Sequence, residues 1–173
     1  MSIALSLDLA ARVRAIRLAV FDVDGVLTDG RLLLGPSGEE FKQFHVRDGH
    51  GLVMLREAGI ILAIITGRSA PVVAQRMAEL GIRHVYQGCQ DKLATVRELC
   101  ALTRVPLAQM CYVEDDVPDV PVLQVVGFGV AVADAHATAA TAACFHTQAS
   151  GGRGAVREIA DLILRVQRAP GDQ

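Results

Sequence analysis

The apolar positions of this chain keep two rhythms that alternate from one end to the other. Residues 16–21, broken only by Arg17, and the continuous runs 60–65, 110–113 and 128–132 are short apolar stretches with the length and character of strands covered on both faces. Between them, apolar residues recur at three- and four-residue spacing, as on helices with one buried face. The pattern predicts a helical lead-in at 9–15 and a helix capped by Asp48 that runs to residue 58 before Gly59. Another helix is opened by Ser69 and Pro71 and ended by Gly81, and further helices fall at 93–102, 119–126, 137–143 and 155–168. Short strands are expected at 85–86 and 144–146. Residues 31–34 and 40–44 flank the turn signal Gly35-Pro36-Ser37-Gly38 and predict a β-hairpin beside the tip of the first strand. Strand and helix in strict alternation select an α/β fold: a parallel sheet with helices on both faces and a site at the carboxyl ends of its strands. The hairpin, one helix and one strand fill the interval between Asp24 and Thr66. No separate cap domain fits there, and residues 1–173 are expected to form a single domain.

Polar residues gather where these strands end. The first run stops at Phe21-Asp22-Val23-Asp24-Gly25, and in extended chain Val23 takes the opposite face, so that both carboxylates address one pocket. Like charges held that close need a cation, a shared proton or a chemical task. The second run ends in Thr66-Gly67-Arg68, Lys92 opens a helical segment, and the third run leads into Glu114-Asp115-Asp116-Val117-Pro118-Asp119. Together these residues describe phosphoryl transfer without a nucleotide-binding loop. One carboxylate attacks phosphorus, a second handles the leaving-group proton, and hydroxyl and ammonium groups hold the phosphoryl oxygens. Asp22, Asp115 and a phosphate dianion would repel one another in one cleft, so a divalent cation is required, and an all-oxygen ligand set suits Mg²⁺.

Charge and composition narrow the classes. A net charge of −2, with lysines and arginines scattered rather than striped, excludes a nucleic-acid partner. No apolar run approaches the ~20 residues of a membrane span and no leader pattern opens the chain, so no membrane partner and a cytoplasmic location are expected. Cys89, Cys100, Cys111 and Cys144 lack metal-type spacing and are expected as buried free thiols. A 51% hydrophobic content suggests apolar surface shared between subunits, hence a homo-oligomer.

The segments DxDGVLTDG from Asp22, ITGR ending at Arg68, the lone Lys92 and DDxxD from Asp115 stand in the order of the four motifs of the haloacid dehalogenase superfamily of phosphohydrolases, which this chain resembles. Phe44-His45-Val46-Arg47-Asp48-Gly49-His50-Gly51 and Ser150-Gly151-Gly152-Arg153-Gly154 with the following Ala155-Val156-Arg157-Glu158 resemble the branch that acts on phosphorylated sugar acids. The resemblance implies a Rossmann-like fold, Asp22 as nucleophile forming an aspartyl-phosphate, and Asp24 as general acid and then base. Thr66 and Lys92 would bind the phosphoryl group. It also implies Mg²⁺ held by Asp22, the backbone carbonyl of Asp24 and Asp115, with Asp119 ordering a metal-bound water, and a homotetramer serving lipopolysaccharide precursor synthesis. The substrate is then an eight-carbon ulosonate 8-phosphate, with a nine-carbon 9-phosphate or a non-catalytic binding role as alternatives. An acidic sugar needs a cation beyond the phosphate site: Arg68 is favoured, with Arg76, Arg47 and Lys42 as further candidates and His50 as a substrate contact. Glu114 departs from the pattern, where the superfamily usually has Gly, and is expected to point away from the metal. The glycine-rich 150–154 segment, anchored by the amphipathic helix after it, is expected to close the pocket as a strap bringing Arg153 or Arg157 near.

Overall fold

Six of the strands form one parallel sheet. The computed structural model describes residues 5–169, so residues 1–4 and 170–173 at the ends of the expected 1–173 domain lie outside the described residues. Strands β1 (Leu18–Phe21), β4 (Ile61–Ile65), β5 (His84–Tyr86), β6 (Met110–Glu114), β7 (Phe128–Ala131) and β8 (Phe145–His146) lie in the order β5-β4-β1-β6-β7-β8. Leu18 sits level with Ile61 on one side and Met110 on the other. The chain winds outward from β1 through β4 to β5, then returns past β1 to β6 and winds the other way. The reversal opens a crevice between β1 and β6 at their carboxyl ends.

Side-chain alternation on β1 decides which helices meet which residues. Ala19 and Phe21 join the core under α2 (Val46–Glu57), α3 (Pro71–Glu79) and α7 (Ala155–Arg168). Leu18 and Val20 join the opposite core under α4 (Lys92–Thr103), α5 (Val120–Leu123) and α6 (Ala137–Ala142). Extended one step further, the alternation puts Asp22 on the α4 side, where Lys92 is the first helical residue. A short α1 (Leu7–Arg14), capped by Ser6 Oγ accepting from the Leu9 N–H at 3.2 Å, precedes β1. The hairpin is β2 (Leu33–Leu34) paired antiparallel with β3 (Glu40–Phe41), shorter than its apolar flanks suggested.

Several local expectations change in the fold. Asp48 does not cap its own helix: α2 starts at Val46, and the buried Asp48 carboxylate accepts from the Gly154 N–H at 3.1 Å and the Arg157 N–H at 2.8 Å. It caps α7 instead, satisfying two amide donors at the start of that helix. Helix α3 opens on Ala70 and Pro71 rather than on a Ser69 cap. The helix expected at 119–126 breaks into a 3₁₀ turn, Val117–Asp119, and the short α5, because Pro118 and Pro121 each withdraw an N–H. All four cysteines are free, but only Cys111 is buried and Cys144 is exposed. Among the described residues, no helix is long and apolar enough to cross a membrane.

Candidate active site

A cavity of about 450 Å³ opens at the carboxyl ends of β1, β4 and β6. Its wall brings together Asp22 and Asp24 after β1, Thr66 and Arg68 after β4, Lys92 at the start of α4, and Asp115 and Asp119 after β6. These groups come from four separate turns, so the site exists only once the parallel sheet has formed.

Asp22 is held from two sides. Its Oδ1 accepts from the Val23 N–H at 2.5 Å and its Oδ2 from Lys92 Nζ at 2.7 Å. Lys92 also donates to Asp119 Oδ2 at 2.6 Å, and Asp119 Oδ1 accepts from the Tyr112 hydroxyl at 2.5 Å. Burial alone would push the Lys92 ammonium down, but Asp22 and Asp119 outweigh it and hold its pKa well above the ordinary lysine value. Burial raises Asp22 against the opposing pull of Lys92. Asp115 is pushed up to about 7, first by burial and then by the charges of Asp22 and Asp116. A carboxylate so raised is one that a divalent cation would restore to its ordinary range.

Asp24 Oδ2 and Thr66 Oγ1 are buried side-chain atoms without a hydrogen-bond partner, and both residues line this cavity. Unsatisfied polar atoms of this kind are costly in a protein interior and mark places that a ligand completes. Asp24 Oδ1 accepts from Lys42, which follows β3, and Lys42 Nζ lies 2.7 Å from Glu40 Oε1. Arg68 donates to Glu40 Oε2 at 2.8 Å.

The remaining substrate candidates separate. Arg76 lies on α3 facing α2 and pairs with Glu79 at 3.1 Å, and His50 is exposed on α2; neither lines the cavity. Helix α2 turns its Gly49 face toward the Arg76 guanidinium. Arg47 lines a second cavity of about 310 Å³ with Asp29, His45 and Arg153, on the other side of the loop after Asp24. The expected strap is packed rather than mobile: the Gly152 N–H donates to Val26 O at 2.8 Å, and the Gly151 N–H to Asp134 Oδ1 at 2.9 Å. Arg157 turns away to pair with Asp161 at 2.9 Å. Sequence reasoning missed Tyr112 and Glu40. Strand alternation from Glu114 back to Tyr112 carried the signal for the first; nothing local marked the second.

Carboxylate oxygens of Asp22, Glu114 and Asp119 lie within 4.8 Å of one another. That space already receives the Lys92 ammonium, which bonds two of the three. On the cavity side of that cluster, Asp22 and Asp115 both line the wall. There a Cβ on Gly25 would overlap Asp115 Oδ2, so only glycine, at φ +89°, lets that carboxylate approach the loop. A hard cation that takes few carboxylates and keeps its waters, such as Mg²⁺, fits this oxygen set.

No protein-family model matches the chain. Individual proteins do: the 3-deoxy-D-manno-octulosonate 8-phosphate phosphatase of Yersinia pestis is 48% identical over 160 residues, 92% of this chain and 86% of that protein. The chain belongs to the 3-deoxy-D-manno-octulosonate 8-phosphate phosphatase family. A crystal structure of the Yersinia pestis phosphatase matches the fold with a TM-score of 0.92 at 47% identity, covering 94% of this chain and 88% of that one. The Moraxella catarrhalis member, crystallised with magnesium ion, phosphate ion and KDO, matches with a TM-score of 0.91 at 41% identity over 92% of each chain.

Glu114, expected to point away from the metal, does not line the cavity, and it turns into the core rather than into solvent. Glu114 is fully buried at the end of β6, on the same face as Tyr112, because two residues along a strand share a side. Its Oε1 accepts from the Asp116 N–H at 2.7 Å and pins the turn that carries Asp115. Burial, with the neighbouring Asp119 carboxylate, pushes its pKa up to about 10. The folded protein thus keeps a proton that the unfolded chain loses above about 4.5. Stability from this group is complete below that value and declines as pH rises toward 10. In metal-free protein, Glu114→Gln is expected to raise Tm at pH 8 and to leave it unchanged at about pH 4. Calorimetry at the two pH values checks this; an equal shift at both would show that the carboxyl proton is not the cause.

Proposed function

We propose that this protein hydrolyses 3-deoxy-D-manno-octulosonate 8-phosphate to the free sugar acid and phosphate, with Mg²⁺ as cofactor, in the supply of lipopolysaccharide precursors. The observation that carries the reaction type is the shared cavity. It holds a carboxylate fixed by an ammonium, a second carboxylate with one free oxygen, and a free hydroxyl. The substrate follows from 48% identity to a phosphatase of that name and from the KDO complex of the Moraxella catarrhalis relative.

Asp22 attacks phosphorus in line with the sugar oxygen, the P–O bond to the sugar breaks, and Asp24 Oδ2 gives that oxygen its proton. Asp24, now a carboxylate, takes a proton from the water that attacks the aspartyl-phosphate, freeing phosphate and restoring Asp22. Thr66 Oγ1 donates to a phosphoryl oxygen, and Lys92 keeps Asp22 oriented while its charge offsets that of the phosphate. Asp22, the backbone carbonyl of Asp24 and Asp115 would hold Mg²⁺, which when bound neutralises charge between nucleophile and phosphate. Asp119, bound by Lys92 and Tyr112, serves as an anchor for Lys92 rather than only for a metal-bound water. Arg68, about half exposed at the mouth, is the cation best placed for the sugar carboxylate.

The site is open on its outer side, and the hairpin beside it exposes Leu32, Leu33, Leu34 and Phe41. We infer that a second copy covers this apolar surface, as in a homotetramer, and that the four free thiols belong to the reducing cytoplasm. Phosphate release should be fastest on the eight-carbon ulosonate 8-phosphate among a panel of sugar phosphates, and should vanish on exhaustive chelation and return with Mg²⁺. Preference for a nine-carbon 9-phosphate would move the substrate, and turnover without metal would remove the cofactor. Light scattering of the same sample gives the subunit number.

A further inference from the structure

The hairpin is the most exposed element near the site, with Leu33, Leu34 and Phe41 all more than half open, yet the side chain of Lys42 that follows it is 2% exposed. A buried ammonium is costly unless paired. Here two carboxylates meet it: Asp24 through Oδ1, and Glu40 through Oε1 at 2.7 Å. Glu40 in turn binds Arg68 at 2.8 Å, and Arg68 Nε stands 3.9 Å from Asp24 Oδ2, beyond hydrogen-bond reach. The result is a balanced quartet of two cations and two anions that spans the hairpin and the tips of β1 and β4.

This arrangement makes the two oxygens of Asp24 unequal. Oδ1 is occupied by Lys42, whereas Oδ2 is buried, unpartnered and part of a residue on the cavity wall. An N–H donor on Oδ1 is accepted whether or not the carboxyl is protonated, so the proton that Asp24 gives and takes is confined to Oδ2. We propose that Lys42 is a positioning residue that fixes Asp24 for proton transfer and makes that transfer depend on the hairpin being in place. It is not a cation for the substrate carboxylate, since its side chain is buried and off the cavity wall, whereas Arg68 of the same quartet lines the cavity and is about half exposed. The inference rests on Asp24 being the general acid of the reaction proposed above.

The test compares Lys42→Met, close in length but without charge or donor, with Asp24→Asn. Each is assayed on the eight-carbon ulosonate 8-phosphate and on an aryl phosphate whose leaving group needs little protonation. General acid catalysis contributes about 10²–10⁴-fold, so loss of its positioning is expected to lower kcat on the sugar phosphate by about 30-fold and on the aryl phosphate by less than about 3-fold, with KM nearly unchanged. Lys42→Gln, which lacks the charge and the reach, should give the same split if the methionine variant does not fold. A raised KM with kcat retained would return Lys42 to substrate binding, and equal kcat losses on both substrates would reduce it to a structural role; either overturns the proposal. If Asp24→Asn itself shows no dependence on the leaving group, the reading of Asp24 fails. If it does and the Lys42 variants do not, only the proposal about Lys42 fails.

Discussion

Asp22→Asn is expected to lower turnover by at least about 10⁴-fold while the protein stays folded, because an amide keeps the shape of the carboxylate but not its nucleophilicity. The fold should tolerate the change. The amide oxygen can still accept from Lys92 or from the Val23 N–H, and core packing is untouched, since Phe21 and Val23 on either side carry the core contacts. Lys92 retains Asp119 at 2.6 Å, so its ammonium is not left unpaired. Burial already raises Asp22 against its own charge, so neutralising it also removes a desolvation cost. Phosphate release measured beside thermal unfolding separates the two effects. A folded variant that keeps more than a small fraction of wild-type activity would place the attack elsewhere.

Gly151→Ala should be severely damaging for a single added methyl. A Cβ there would overlap Gly25 O and come within 2.5 Å of Gly25 C, backbone atoms of the loop that follows Asp24. Neither partner can rotate away, so the tail and the catalytic loop must separate. Overpacking against backbone is expected to cost about 3 kcal/mol, or a fall in Tm of roughly 6–12 °C at this chain length. A loop displacement of about 1 Å at the reacting groups would lower kcat by about 10²-fold. Gly38→Ala is the control. Gly38 has φ +89° but nothing within 4 Å, so it carries backbone strain without collision. That change should cost only about 1 kcal/mol with activity intact. Equal effects at the two glycines would refute the contact argument.

The place of the site was legible because it is written in local patterns. Asp22, Asp24, Thr66 and Asp115 stand within three residues of the ends of apolar runs, and a parallel sheet delivers every such tip to one edge. Lys92 was legible because a residue opening a helix after a strand returns to that same edge. Even the hairpin announced itself through Gly35-Pro36-Ser37-Gly38. Arg76 and His50 stand near the same motifs in sequence but do not line the cavity. Nearness in sequence to a motif says where a backbone lies, and helix rotation decides where a side chain goes.

By itself, then, the sequence determined the order of strands and helices, the edge at which the polar groups meet, and the need for a cation among so many carboxylates. Tertiary structure alone decided the partners. Asp48 caps a helix more than a hundred positions away, Lys42 reaches back from the hairpin to Asp24, and Glu114 turns into the core beside Tyr112 and Asp119. The physical reason is that strand and helix periods are properties of neighbouring residues. The pairing of a buried charge is settled by whichever distant group the packing of whole elements brings within about 3 Å.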